Sequence, residues 1–135
     1  MATTDTDILT LAKQHLEDIA KGKAGLELAG YYAETIQQIE YPNQLNVNGG
    51  VSDYGTLIER SEKGKHIVVS QSYDVQKEYV SSNTVILEVI WKGVFSIPIG
   101  QTPPGREIKA HFALFMEFEG GKIVRQRNYD CFDAF

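Results

Sequence analysis

Between Arg106 and Phe132 hydrophobic and polar positions alternate with the two-residue period of strands. Ile108, Ala110, Phe112, Leu114, Met116 and Phe118 fall on one face, and Lys109, His111, Ala113, Phe115 and Glu117 on the other. Only Gly120-Gly121 separates Arg106–Glu119 from Lys122–Phe132, which predicts a tight hairpin. Upstream the period changes. Ile8, Leu11, Ala12, Leu16 and Ile19 follow helical spacing, so Asp7–Ala20 reads as an amphipathic helix with Lys13, Gln14, Glu17 and Asp18 toward water. Thr4, Asp5 and Thr6 offer capping oxygens at its start. A second short helix is expected over Ala24–Tyr32, weakened by Gly25 and Gly30. Thr35–Tyr41 reads as a strand stopped by Pro42, and Asn43–Val51 as a loop. Ser52-Asp53 can cap a third helix over Tyr54–Glu62, ended by Gly64. Long strands follow at His66–Val80 and Thr84–Ile97, and the Pro- and Gly-rich Pro98–Gly105 leads into the last hairpin.

Helices first and long antiparallel strands afterwards predict an α+β domain, one unit across residues 1–135. Both sheet faces carry apolar side chains: Val85, Leu87, Val89 and Trp91 alternate with Ile86, Glu88, Ile90 and Lys92. One face can cover the helices and a cavity. The other holds enough aliphatic surface to predict a homodimer through the sheet, the alternative being a curved sheet with a few exposed isoleucines.

Composition narrows the function classes. A chain of 135 residues with 42% hydrophobic content can build a core without disulfides or metal. Net charge −5 and the absence of a basic stripe exclude a phosphate-backbone partner, so no nucleic acid is expected. No apolar run reaches the length of a membrane span, and the first residues lack the parts of a signal peptide, so no membrane association is expected. Cys131 is the single cysteine; it excludes an internal disulfide, points to a cytoplasmic setting and reads as a buried, inert thiol. No HxH, HExxH or paired-cysteine spacing suggests a metal, and no P-loop, dinucleotide fingerprint or nucleophile elbow suggests a cofactor or serine chemistry.

Three motifs bring in a resemblance. Tyr32-Ala33-Glu34 followed by Ile39-Glu40-Tyr41-Pro42-Asn43, then Trp91-Lys92-Gly93, then Gly121-Lys122-Ile123-Val124-Arg125-Gln126-Arg127-Asn128-Tyr129-Asp130 resemble the nuclear transport factor 2-like superfamily, and the last motif its SnoaL-like branch, related to polyketide cyclases and ketosteroid isomerases. The resemblance implies a cone of curved, mostly antiparallel sheet wrapped on three helices, with an internal cavity. The superfamily includes isomerases, cyclases, dehydratases, hydrolases and proteins that bind without catalysing, so function must be argued from residues.

By that resemblance Asp130 stands where SnoaL-like cyclases carry a general-base aspartate. Its spacing from Gly121 is one residue shorter than the usual pattern, and one residue flips a strand side chain. Either a bulge restores Asp130 to the cavity, or Asn128 takes the inward polar position; a plain strand-end carboxylate paired with an arginine is the other reading. Glu40 can project inward with Ile36 and Gln38, where desolvation would raise its pKa as acid–base work needs. Tyr41 occupies the place before proline where steroid isomerases carry their aspartate, a departure from that chemistry. His111 is a third candidate, as a proton relay, weighed against an ordinary structural histidine. His15 reads as a helix-surface residue. Tyr32, Tyr54, Trp91, Phe95, Phe115 and Tyr129 supply aromatic walls for a small, largely apolar organic molecule. Two functions remain open on the sequence: cofactor-independent acid–base catalysis, or a non-catalytic binding or dimerisation module with a vestigial pocket.

Overall fold

The structure, a computed structural model, describes residues 5–135 and side chains from residue 7 onward. The capping oxygens expected from Thr4, Asp5 and Thr6 therefore lie outside the described side chains. Helix α1 (Asp5–Ala20) buries Ile8, Ala12 and Leu16, the stripe its periodicity predicts. Two expected surface residues are buried with them, His15 and Asp18. His15 lies four residues after Leu11, three after Ala12 and four before Ile19, so the apolar stripe encloses it.

The second helix does not form as expected. Gly25–Glu27 and Ala29–Tyr31 are two separate 3₁₀ turns. Gly25 sits at φ +58°, and its N–H donates to Ser61 Oγ at 3.1 Å, a tertiary bond made outside a continuous α-helix. Strand β1 (Tyr32–Glu40) begins three residues earlier than its hydrophobic run suggested, and β2 (Gly50–Ser52) emerges from the Asn- and Gly-rich loop. Helix α2 (Tyr54–Gly64) is capped by Asp53, whose carboxylate accepts from the Thr56 N–H at 2.9 Å.

Four long strands complete the chain: β3 (Val68–Ser81), β4 (Thr84–Phe95), β5 (Glu107–Glu119) and β6 (Lys122–Phe132). They form one open sheet in the order β2-β1-β6-β5-β4-β3, antiparallel throughout except for the parallel pair β1–β6. The β5–β6 turn uses Gly120 at φ +57° and Gly121 at φ +78°, the two left-handed residues that a tight hairpin turn requires. Bulges bend the sheet: Val69 and Gln76 interrupt the β3–β4 ladder, and Val124 interrupts β5–β6.

The concave face carries the core. Val85, Leu87 and Val89 of β4 and Leu114 and Met116 of β5 pack against α1 residues Ile8, Ala12 and Leu16. Toward the other end Trp91, Phe95, Ile108 and Ala110 form a second cluster, joined by Phe112, Phe132 and Phe135. Gly93 is the reason Trp91 fits there. A Cβ at that position would collide with Cη2 and Cζ2 of the indole, so the Trp-x-Gly spacing lets the ring lie over bare backbone.

Candidate functional site

The site is built on the concave ends of β1 and β6. Ile123 pairs with Phe118, and Arg125 with Glu117, so Val124 is the extra residue of a bulge. From there Gln126, Asn128, Asp130 and Phe132 sit opposite Met116, Leu114, Phe112 and Ala110, all on the concave face. Without the bulge, the face that holds Ile123 would hold Arg125, Arg127 and Tyr129 instead. Both inward candidates are thus on the same side: Asn128 and Asp130 alternate on one face, and neither replaces the other.

Asp130 is half-buried, and its Oδ1 is enclosed with no hydrogen-bond partner among the described residues. Burial, reinforced by the negative charge of Glu40, pushes its carboxyl up from 3.8 to about 7. Glu40 lies in a different setting. Asn43 Nδ2 donates to its Oε2 at 2.9 Å, and Arg60 Nη2 lies 3.6 Å from its Oε1. Arg60 in turn donates to Ser52 Oγ at 3.0 Å, tying β1, β2 and α2 together around that carboxylate. Gln126 donates from Nε2 to Asn128 Oδ1 at 2.9 Å, which fixes the neighbouring amide.

A cleft of about 630 Å³ opens beside this face, between the end of α1, α2 and β3. Tyr32, Gln38, Arg60, Gln71 and Tyr73 are among its walls. Asp130 is not itself a wall residue. The link is Tyr73, which is half-buried and whose hydroxyl is held in the neutral form by burial and, secondarily, by the charge of Asp130. Gln71 Oε1 accepts from both Tyr73 Oη at 3.2 Å and Trp91 Nε1 at 3.0 Å, which anchors this wall to the aromatic cluster. At the opposite wall the Tyr32 hydroxyl lies 2.8 Å from His15 Nε2. Asp18, near by on α1, accepts from the Tyr31 hydroxyl and from Gln14 Nε2, and Lys23 lies 3.4 Å away; the Tyr31 bond is the main reason its carboxyl is held below the usual range.

No family model matches the chain, and no curated protein matches it. Solved structures do. AclR from Streptomyces galilaeus, provisionally assigned as a hydroxylase, superposes with a TM-score of 0.75 at 12% identity over 94% of this chain and 80% of its own. IdmH from Streptomyces antibioticus, provisionally assigned as a polyketide cyclase, gives 0.74 at 16% identity over 91% of both chains. A nuclear transport factor 2-like protein from Anabaena variabilis gives 0.70 at 18% identity, over 100% of this chain and 95% of its own. The chain has the nuclear transport factor 2-like fold. At these identities the likeness speaks for the fold alone.

Within that fold the concave face gathers Asp130, Glu40, Asn128, Gln38 and Ile36, with Ile36 buried in the core and Gln38 in the cleft wall. Tyr32 is also in the wall. Trp91 and Phe95 belong to the second aromatic cluster, and Tyr54 packs half-buried against the main core at the start of α2. Three candidates fall elsewhere. His111 is exposed on the convex face, paired with Ile90 and Cys131, so a relay to Asp130 is corrected by the strand alternation itself. Phe115 and Tyr129 share that convex face: their rings meet edge to face at 5.5 Å, and Tyr129 stacks on Tyr41 at 4.6 Å. They do not line the cleft. Cys131 is exposed rather than buried, for the same reason.

Residues not singled out from the sequence complete the site: His15, Asp18, Arg60, Gln71 and Gln126. Only His15 carried a usable signal, its position within the helical stripe. Arg60 and Gln71 depend on partners distant in the chain, Glu40 and Trp91, which spacing alone does not encode.

Proposed function

We propose that this is a SnoaL-like protein that binds a small, largely apolar organic molecule carrying a carbonyl group, and that Asp130 moves a proton at the carbon beside it without a cofactor. One observation carries this reading: a carboxyl with an unpartnered, enclosed oxygen, raised to about 7 beside a second carboxylate that is already satisfied. A base poised near neutrality is matched to abstracting such a proton and returning it. Enolisation, cyclisation, dehydration and water addition all begin or end with that step. Provisional assignments of structural neighbours as polyketide cyclases are consistent with it. Another neighbour, with a ketosteroid isomerase-like fold from Catenulispora acidiphila, holds trimethylamine.

The test is a carboxylate titration by NMR in wild type, Asp130→Asn and Glu40→Gln, paired with deuterium exchange next to the carbonyl of simple ketones. A midpoint near 7 assigned to Asp130, with exchange falling about 10²–10⁴-fold in Asp130→Asn, is the expected result. A midpoint near 4 would sink the acid–base reading.

The second reading, a non-catalytic binding module, is favoured by the aromatic packing next to Asp130. Phe112, its partner across the ladder, stacks on Trp91 at 5.4 Å, and Phe132 meets both rings at 5.9 Å. Much of the cone at that end is filled. In either case we propose that the convex face, with half-buried Ile86, Ile90 and Phe115, pairs with a second copy. Light scattering would then give twice the monomer mass, and Ile90→Glu would return the single-chain mass.

A further inference from the structure

His15 and Tyr32 form a buried pair whose hydrogens can be placed by counting donors. Only 2% of His15 is exposed; Nε2 lies 2.8 Å from the Tyr32 hydroxyl, and Nδ1 has no partner among the described residues. Tyr31 and Tyr32 meet its ring edge-on at 5.0 and 5.4 Å, which holds the imidazole in place. Asp18 acts on it electrostatically in favour of protonation, but burial dominates, and the ring is neutral at neutral pH.

Two tautomers are then possible. With the proton on Nδ1, a buried N–H would face no acceptor while Tyr32 gave its own proton to Nε2. With the proton on Nε2, that N–H donates to Tyr32 Oη, and the atom left unpaired is a bare acceptor nitrogen. Buried orphan donors are rarer and costlier than under-used acceptors. In the second arrangement the Tyr32 O–H no longer points at the histidine, and among the described residues no other protein group accepts it. Tyr32 is a wall residue of the cleft, where a ligand or water can accept that hydrogen. Burial also keeps this hydroxyl protonated, hence a donor.

We infer that His15 is a positioning residue that donates from Nε2 to Tyr32 and turns the Tyr32 O–H into the cleft, where it binds the oxygen of a carbonyl ligand. This deepens the proposed function and rests on the cleft as the ligand site. It assigns that site a polar anchor on β1, separate from the carboxylate on β6. Tyr32 supplies a fixed dipole aimed at an oxygen on which negative charge would develop. The ligand class follows: a molecule with an apolar body and one ketone or enone oxygen.

The experiment has two arms. Nitrogen-15 NMR of the wild-type imidazole reads the tautomer, with Nε2 protonated expected; Nδ1 protonated overturns the inference. The infrared carbonyl stretch of acetophenone is then read in wild type, Tyr32→Phe, His15→Gln, His15→Leu and Asp130→Asn. A stretch lowered in wild type is expected to return to its solution value in Tyr32→Phe, with binding about 3–10-fold weaker. His15→Gln keeps a donor near the Nε2 position and retains the shift, whereas His15→Leu loses it. An unshifted stretch in wild type, or failure to bind acetophenone, overturns the inference. Asp130→Asn is expected to leave the stretch unchanged. An ordinary titration of Asp130 alongside the Nε2 tautomer and the shift would therefore sink only the acid–base reading.

Discussion

Glu40 and Asp130 share the concave face of adjacent parallel strands, and only Glu40 is given partners. Its two oxygens take Asn43 and Arg60, while Oδ1 of Asp130 takes nothing among the described residues. Glu40 pairs in register with Asn128, so the unpartnered carboxyl is the next inward residue along β6. A satisfied charge beside an enclosed carboxyl separates the two groups into different roles.

Replacing Glu40 by Gln removes one of the two causes that raise Asp130, and the smaller one. The Asp130 midpoint is expected to fall below 7 while staying above 3.8, because burial persists. Carboxyl carbon-13 shifts followed against pH give the answer. An unchanged midpoint would mean that the Glu40 charge does not reach Asp130.

Stability against pH should contain two opposed contributions. The folded chain holds the Asp130 proton up to about 7, whereas the unfolded chain releases it near 3.8, so this group lowers stability as pH rises through that window. His15 acts in the other direction. Its folded value is about 4 against 6.5 unfolded, so the unfolded chain gains a proton that the folded chain refuses, and stability falls as pH drops through that window. Asp130→Asn should leave a profile that rises with pH between about 4 and 6.5, with a gain of about 1–2 kcal/mol above pH 7 after allowing for partial exposure. His15→Gln should leave the falling profile. Urea unfolding across the window measures both, and identical slopes in the two variants would refute the assignment.

Gly93→Ala forces a methyl group against the Trp91 ring, which Gln71, Phe112 and Phe132 hold in place. Overpacking of this kind costs about 1–3 kcal/mol. Trp91 is the single tryptophan, so its fluorescence should shift along with the unfolding midpoint. Unaltered emission and midpoint together would show that the ring yields freely.

Deleting Val124 removes the bulge. Either Ile123, fully buried, must leave the core, or Gln126, Asn128 and Asp130 must turn outward. The first outcome costs about 2–4 kcal/mol by analogy with losing a large aliphatic side chain from a core. The second leaves stability closer to wild type and returns Asp130 to an ordinary titration. A deletion variant with both properties intact would contradict the register described for β6.

Much of this was legible along the chain because its signals are local. The helical stripe of α1, the Gly120-Gly121 turn and the alternation in β4 and β5 each lie within a dozen or so residues, and each element formed where its pattern placed it. The inward run Ile36, Gln38, Glu40 was legible for the same reason. What was hidden depends on partners distant in sequence. β2 exists because β1 pairs with it, although its own residues spell a loop. The first 3₁₀ turn is tied to α2 by a bond between Gly25 and Ser61, 36 residues apart. His111 stood as a proton-relay candidate until the sheet had an inside and an outside; His15 was read as solvent-facing although its place in the helical stripe pointed inward. The short spacing before Asp130 did raise a bulge as one of two possibilities; pairing with β5 places it at Val124 and puts Asn128 and Asp130 on the same face.

The single parallel contact between β1 and β6 also sets an order of assembly. Strands β3 to β6 are joined in sequence and can zip as neighbours, whereas a bond such as Arg125 to Gln37 closes a separation of 88 residues. Closures of that length are slow relative to hairpins. Glu40 stands on one side of that seam and Asp130 on the other, so a meander that has already acquired most of its strand structure still has no paired carboxylates. In refolding, ligand binding should lag the far-ultraviolet signal, because the site comes into being only when β1 docks.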